Sequence, residues 1–173
     1  MWNRPCEFSK DLRYRYTLWR EFDPLLSIDS GYVMFIGLNP STATDEVNDP
    51  TIRRCVGFAK AWGYGALCMT NLFAYRATNP RVMQAQTDPI GAENDHWLRQ
   101  CAKEAAVIVA AWGSKGAHRG RGLSVACLLL EYPLMCLGLT KEHFPRHPLY
   151  AKSNLVPVRY SRFVPTRWLL RDG

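Results

Sequence analysis

An uninterrupted apolar run near residue 32 constrains the fold of this chain more than any other feature. Five apolar residues extend from Tyr32 to Ile36, with a glycine on each side. Such a run predicts a strand that is buried on both faces, because a strand with one wet face would alternate apolar and polar residues. Asn39 and Pro40 follow, and proline ends strand pairing. Ligands of open α/β sheets bind at the carboxyl ends of strands, so Asn39 is a candidate site residue. The alternative is an ordinary turn.

The same pattern recurs further along the chain and predicts a βαβ unit. A second apolar strand runs from Ala66 to Thr70 and ends in Asn71, and a helix that opens at Asp49 and Pro50 precedes it. Aspartate suits the N-cap of a helix, and proline suits its first turn. Because βαβ crossovers join neighbouring parallel strands, we expect the amides of the Asn39 loop and of Asn71 to lie at the same edge of the sheet.

Two further apolar runs, over residues 107–112 and 133–137, complete the predicted parallel strands, and helical patterns precede both. The fourth strand leads to His147, which stands before a proline as Asn39 does. The third strand leads into a Gly-Ser-Lys-Gly turn that lacks the rest of a nucleotide-binding P-loop. Backbone N–H groups and basic side chains at this turn remain candidates for holding one phosphate of a polymer. These residues are Ser114, Lys115, Arg119 and Arg121.

The amino-terminal segment has the alternation of a half-exposed strand. Between residues 12 and 18, Arg13 and Arg15 share one face and Tyr14 and Tyr16 share the other. The pattern predicts an antiparallel edge strand whose charge either contacts nucleic acid or keeps the edge soluble. The complete prediction is an α/β fold, a three-layer α-β-α sandwich with a central, mainly parallel four-stranded sheet and this amino-terminal antiparallel edge element.

Composition narrows the class of protein. A chain of 173 residues is most simply a single domain. Its 22 Lys and Arg against 15 Asp and Glu give a net charge of +7, which suits a nucleic-acid partner but also an ordinary basic protein. The six cysteines have no metal-binding spacing, so we expect reduced thiols and no metal or iron-sulfur cluster. No apolar run is long enough for a membrane span, and we expect a cytoplasmic monomer without a membrane partner.

Three motifs carry a resemblance to known families. They are Gly37-Leu-Asn-Pro-Ser41, Thr70-Asn-Leu-Phe73 and His147-Pro-Leu-Tyr150. In this order, each after a strand, they resemble motifs of the uracil-DNA glycosylase superfamily. The span from about residue 13 to residue 159 resembles more closely an uncharacterised bacterial and phage family of unknown function. That family shares these motifs together with Asp-Pro-Thr-Ile-Arg-Arg-Cys and Ala-Trp-Gly.

The glycosylase resemblance implies a uracil-DNA glycosylase-like fold and a metal-independent DNA N-glycosylase that needs no cofactor. Asn39 would position the attacking water, and Asn71 would read the Watson-Crick edge of a flipped base. His147 would donate a hydrogen bond to the base as negative charge develops on it. The aromatic ring that stacks on the base is missing from its usual place, which leaves Phe73 and Tyr75 as candidates for base binding.

The remaining candidates would contact the nucleic-acid backbone or fill the stack that the base vacates. They are Ser41, Ser114, Lys115, Leu149 and Tyr150. The acidic Asp45, Glu46 and Asp49 would either repel DNA or recognise a polar, modified base, and the departures from the glycosylase motifs argue against plain uracil. Two alternatives stay open: a nucleoside or nucleotide hydrolase or transferase that uses the same pocket, and an inert nucleic-acid-binding module. The tail after residue 160 is expected to pack on the domain or to meet a partner.

Overall fold

The computed structural model describes residues 4–41 and 48–160. The strands are β1 (Leu18–Glu21), β2 (Tyr32–Gly37), β3 (Ala66–Asn71), β4 (Val107–Ala110), β5 (Leu134–Cys136) and β6 (Val158–Arg159). The α-helices are α1 (Pro24–Ser30), α2 (Pro50–Ala61), α3 (Pro80–Gln84), α4 (Asn94–Glu104) and α5 (Arg121–Leu128). Two 3-10 segments cover Ser114–Gly120 and Pro148–Tyr150. The predictions for Asp45, Glu46 and the tail from residue 161 lie outside the described residues.

The strands form one mixed sheet in the order β1-β3-β2-β4-β5-β6. β2 pairs in parallel with β3 and with β4, and β4 pairs in parallel with β5. The two outer strands, β1 and β6, pair antiparallel with their neighbours. The α/β class is therefore confirmed, while the sheet has six strands in place of the predicted four and one edge element. β6 has only two residues, too few to show a period in the sequence.

The apolar run from Tyr32 to Ile36 forms β2, and its side chains alternate between two hydrophobic clusters. One cluster holds Tyr32, Met34 and Ile36 together with residues of α4 and α5. The other holds Val33 and Phe35 together with residues of α2. Since helices cover both faces of this strand, neither face needs polar residues, which explains the unbroken apolar sequence.

The prediction for the amino-terminal strand is wrong in its position and in its faces. The edge strand is β1, and the preceding residues make only isolated bridges, such as that between Tyr14 and Tyr75. Arg15 is buried at 2% exposure, and Tyr16 is buried as well. The backbone N–H of Arg15 donates to the carbonyl of Ala74 at 2.9 Å, so this segment lies along the chain that follows β3. At Arg15 and Tyr16 both faces of the segment are therefore covered, whereas Arg13 is exposed as the alternation predicts.

The six cysteines form no disulfide, and four of them are buried. Among the described residues, no helix has the length and apolar character that a membrane crossing requires.

A glycine inside the 3-10 segment gives a test of packing. A Cβ atom on Gly116 would lie 2.1 Å from Cδ1 of the buried Trp112, whereas one on Gly57, exposed in α2, would meet nothing within 4 Å. We expect Gly116→Ala to lower the free energy of unfolding by about 1–3 kcal/mol through overpacking. Gly57→Ala should raise it by up to about 1 kcal/mol, because alanine favours a helix. Urea unfolding of both variants measures the difference, and equal stabilities would contradict the packing of Trp112.

Candidate functional site

A cavity of about 610 Å³ lies at the carboxyl ends of the central strands. Its wall is formed by the loop after β2, the ends of β3 and β4, the start of α2 and the loop that leads to the second 3-10 segment. Eight of the ten predicted site residues line this one cavity. They are Asn39, Ser41, Asn71, Ser114, Lys115, His147, Leu149 and Tyr150.

Asn39 is half-buried, and backbone carbonyls fix its orientation. Its Nδ2 donates to the carbonyl of Ala77 at 2.8 Å and to that of Pro40 at 3.0 Å. The N–H of Ala77 donates back to the carbonyl of Pro40 at 2.9 Å, so this loop is tied to the chain beyond β3. Because carbonyls only accept, the amide nitrogen must face them. The Oδ1 atom is left as the polar group that can serve a ligand, and it can only accept hydrogen bonds.

Asn71 ends β3 and lies opposite Gly37 in the parallel register. A Cβ atom at Gly37 would be 2.8 Å from Oδ1 of Asn71 and 2.5 Å from Cε of Met69, so glycine makes room for the amide. Asn71 is only 1% exposed, and its Nδ2 has no hydrogen-bond partner among the described residues. A buried donor without a partner costs about 1–3 kcal/mol. An acceptor atom on a ligand would remove that cost.

Two buried polar side chains hold the end of β3 in place. Nδ2 of Asn94 donates to the carbonyls of Asn71 and Leu72, each at 3.0 Å. Nε of Arg121 donates to the same Leu72 carbonyl at 2.9 Å, and its Nη2 forms an ion pair with Asp95. Arg121 therefore supports the strand end and does not line the cavity.

Arg119 is likewise turned away, since it donates to the carbonyls of Gln86 and Thr87 at 2.9 and 3.0 Å. Of the basic residues that the sequence placed at this turn, Lys115 is the one that lines the cavity. The side chains of Arg119 and Arg121 thus donate to backbone carbonyls of the protein. They do not face the cavity, where the sequence suggested that they could bind a phosphate.

His147 precedes the second 3-10 segment, and its environment favours the neutral ring. The N–H of Leu149 donates to Nδ1 at 3.3 Å, so the proton of a neutral ring lies on Nε2. Burial lowers the pKa of His147, and the charge of Lys115 adds to this while Asp49 opposes it. At neutral pH the ring is uncharged and offers one donor, Nε2–H.

Arg54, at the start of α2, fixes the loop that carries this histidine. Its Nε donates to the carbonyl of Pro148 at 3.3 Å, and its Nη2 donates to that of Ala151. Nη1 of Arg53 donates to the carbonyl of Asn48 at 2.9 Å. Both arginines of α2 therefore donate to backbone carbonyls near the cavity wall.

Phe73 and Tyr75 do not line the cavity. Phe73 is fully buried, and its ring centroid lies 5.6 Å from that of His118. Tyr75 packs edge-on against Tyr14, with 5.7 Å between ring centroids. The N–H of Phe73 donates to the carbonyl of Leu38 at 3.0 Å, so the chain continues into the core beyond Asn71. A base in this cavity would not meet either ring.

Besides His147, the aromatic rings that line the cavity within the described residues are Trp112 and Tyr150. Trp112 is 1% exposed and forms part of the inner wall, whereas Tyr150 is 80% exposed and stands at the rim beside Leu149. One sequence feature could have identified Trp112 as a cavity residue: it ends the third apolar run, directly before a glycine. The same position is equally suitable for a tryptophan inside a core strand, so the sequence does not distinguish the two.

Several polar cavity residues were not among the predicted site residues: Arg15, Asp49, Thr51, Thr140 and Arg146. Burial lowers the pKa of Arg15 to about 10, against the opposing charges of Cys6 and Asp49. Arg146 is exposed, and its Nε donates to the carbonyl of Leu139 at 3.0 Å. The loop that carries it is tied to the end of β4 by the bond from Gly113 N to Pro145 O at 3.0 Å. Among the described residues, no three His, Cys, Asp or Glu side chains gather as a metal site.

The lowered pKa of His147 has a consequence for stability. The unfolded chain, with an ordinary histidine pKa of about 6.5, takes up a proton more readily than the folded chain. We therefore expect the wild type to lose stability relative to His147→Asn as the pH falls from about 6.5 through the lower folded pKa, by at most about 1.4 kcal/mol per pH unit.

Urea unfolding between pH 5 and 8 measures this difference. Asparagine is the replacement because its side chain keeps an acceptor for the N–H of Leu149. NMR titration of the His147 imidazole should give a pKa below about 6.5, the ordinary value for histidine. A folded pKa of His147 at or above about 6.5 would contradict the burial of its ring.

Comparison with known proteins identifies a family. No curated protein matches the chain, and no solved structure matches it. One family model matches residues 15–149, a range that contains Arg15, Asn39, Asn71 and His147 and all the central strands. The chain therefore belongs to the family described as a protein of unknown function, DUF1643.

Proposed function

We propose that this protein hydrolyses the N-glycosidic bond of a base, a modified one, flipped from DNA into the cavity, and that its fold is a glycosylase-like α-β-α sandwich. One observation carries the proposal. Asn39, Asn71 and His147, which come from three separate strand ends in the sequence, line the same cavity. Their available groups also differ in kind, with an acceptor on Asn39 and donors on the other two.

These groups suit a reaction that passes through a sugar cation and a departing base anion. The bond from C1′ to the base nitrogen breaks, and its electron pair leaves with the base. A water oxygen forms the new bond to C1′, its proton goes to solvent, and the base anion takes a proton from solvent. Nε2–H of His147 would stabilise the negative base, and Nδ2 of Asn71 would bind an acceptor on its edge. Oδ1 of Asn39 would orient the water.

The cavity and its rim fit a flipped nucleotide. A volume of about 610 Å³ lies within the range of about 300–1,000 Å³ that is common for ligand pockets, and it leaves room for a base with a substituent. Leu149 and Tyr150 are exposed at the rim, where apolar groups could enter the vacated stack. The hydroxyls of Ser41 and Ser114 and the ammonium of Lys115 also line the cavity and could bind phosphates.

The hydrogen bonds of the arginine side chains favour a second candidate, a nucleoside or nucleotide hydrolase with the same pocket. Many of them donate to groups of their own chain, so the net charge of +7 does not add up to a broad phosphate-binding face. These are Arg4, Arg20, Arg53, Arg54, Arg76, Arg119 and Arg121. Lys115 and Arg146 at the cavity would suffice for the phosphate of one free nucleotide.

Release of free bases tests the proposed reaction. Purified protein is incubated with DNA that contains uracil, deaminated bases or modified bases, and mass spectrometry identifies the released base. We expect release by the wild type and a fall of about 100-fold or more for Asn39→Ala and for His147→Asn, since each removes one positioned group. Gln86→Ala, which removes a side-chain amide outside the cavity, is the matched control and should keep full activity.

Thermal unfolding of each variant separates a lost group from a lost fold. Full activity of both site variants would contradict the proposal. No release from any DNA, with tight binding to DNA intact, would favour the inert binding module.

Salt dependence distinguishes DNA from a free nucleotide as the substrate. Each phosphate neutralised on duplex DNA contributes about −0.9 to the slope of log affinity against log salt concentration. We expect a slope near −2 to −3 for DNA, because few cationic side chains line the cavity. Lys115→Gln should reduce this slope by about 1 without changing base preference. A slope near zero together with hydrolysis of free nucleosides would establish the second candidate.

A further inference from the structure

We infer that Asp49 provides a subsite for positive charge beside the sugar, so that the cavity binds a cationic sugar ring more tightly than a neutral one. This inference rests on the proposed function, because it concerns the cation that forms when a glycosidic bond breaks. The resemblance to glycosylases assigned the attacking water to Asn39 alone and gave no role of this kind to a residue of α2.

Asp49 is held rigidly at the start of α2. One of its carboxylate oxygens accepts the N–H of Ile52 at 2.9 Å, which caps the helix, and its backbone carbonyl accepts the N–H of Arg53 at 3.1 Å. The following Pro50 restricts the backbone further. The second carboxylate oxygen has no hydrogen-bond partner among the described residues. The carboxylate is therefore fixed in place while one oxygen remains available to the cavity that Asp49 lines.

Asp49 is the one carboxylate among the described residues that line the cavity. Its charge acts on both His147 and Arg15, in each case opposing the effect of burial on the pKa of that group. Asp49 therefore lies close enough to both for its field to reach them. The other charged residues in the described part of the cavity lining are cationic, so among the described residues the opposite charge for a cation in the cavity is this carboxylate.

The donors of the cavity indicate where the base would lie. Nδ2 of Asn71 is buried without a partner among the described residues, and Nε2–H of His147 is a donor as well. Both suit acceptor atoms of a base that becomes negative. Oδ1 of Asn39 and the free oxygen of Asp49 are acceptors that suit the other product of bond breaking, the sugar with its positive C1′ and ring oxygen. A carboxylate fixed before the reaction stabilises that charge without reorganising.

The test uses two substitutions that preserve helix capping. Asp49→Asn keeps an oxygen for the N–H of Ile52 and removes the charge, because asparagine caps helices as well as aspartate does. Asp23→Asn is the matched control. Asp23 caps α1 by accepting the N–H groups of Leu25 and Leu26, each at 3.1 Å, and it does not line the cavity.

The probes are oligonucleotides that carry a single abasic-site analogue, either a pyrrolidine, which is protonated at neutral pH, or the neutral tetrahydrofuran. The free pyrrolidine and tetrahydrofuran sugars serve as small-molecule counterparts. We expect the wild type and Asp23→Asn to bind the pyrrolidine about tenfold or more tightly than the tetrahydrofuran, as for a charge-assisted hydrogen bond. In Asp49→Asn this preference should disappear, while binding of the neutral probe remains within about twofold.

Each outcome decides between the inference and the proposed function. Equal affinity of the wild type for the two probes, or a preference that survives in Asp49→Asn, overturns the inference even if bases are released from DNA. A preference that depends on Asp49 for the free sugars but not within DNA, with no base release, retains the inference and replaces the DNA glycosylase by a nucleoside hydrolase. Absence of binding to every probe overturns the inference. Because binding is measured without turnover, the result does not require that the substrate base be known.

Discussion

The parallel register of β2 and β3, which places Gly37 opposite Asn71, is the constraint on which the candidate site depends. A slip by one residue would turn the Asn71 side chain to the other face of the sheet. The register is fixed beyond the strands as well, because the N–H of Leu72 donates to the carbonyl of Gly37, and Asn94 holds the carbonyl of Leu72 from the other side. A buried amide without a described partner persists because the backbone on which it stands has no freedom to relax.

Several arginine side chains in this protein stabilise its loops through hydrogen bonds to backbone carbonyls and do not form a charged surface. Arg54 fixes the loop of His147 through two carbonyls, and Arg121 supports the end of β3. A guanidinium with several donors can satisfy carbonyls that no strand or helix partners. Net charge counts such residues as if they faced solvent, so it overstates what is available to a polyanion. The cations that line the cavity, Lys115 and Arg146 among them, say more about a ligand than the total does.

Sequence reasoning placed the central strands and the three polar residues at their ends because both follow from local patterns. An apolar run of β2 length needs two covered faces, and a polar residue before proline marks where such a run must stop. Other features depend on contacts between distant segments. Arg15 fits an exposed strand by period, yet the chain beyond Asn71 covers it, and Phe73 fits a cavity wall by proximity to Asn71, yet it turns into the core. For Asp49 the sequence revealed the helix cap, which depends on neighbouring residues. It did not reveal the position in the cavity wall, which depends on distant segments.

The proposed reaction, as opposed to passive binding, is based on the division of donors and acceptors within the cavity. A module that only held nucleic acid would be served by exposed cations and stacking rings, with no need for a buried donor that costs stability when empty. Here the neutral His147 and the buried Asn71 offer hydrogens, while Asn39 and Asp49 offer oxygens held by the surrounding backbone. A ligand whose two halves acquire opposite charges would match both sets at once. Separation of a base from its sugar creates such a pair, and fixed dipoles and charges favour it most when the bond is breaking.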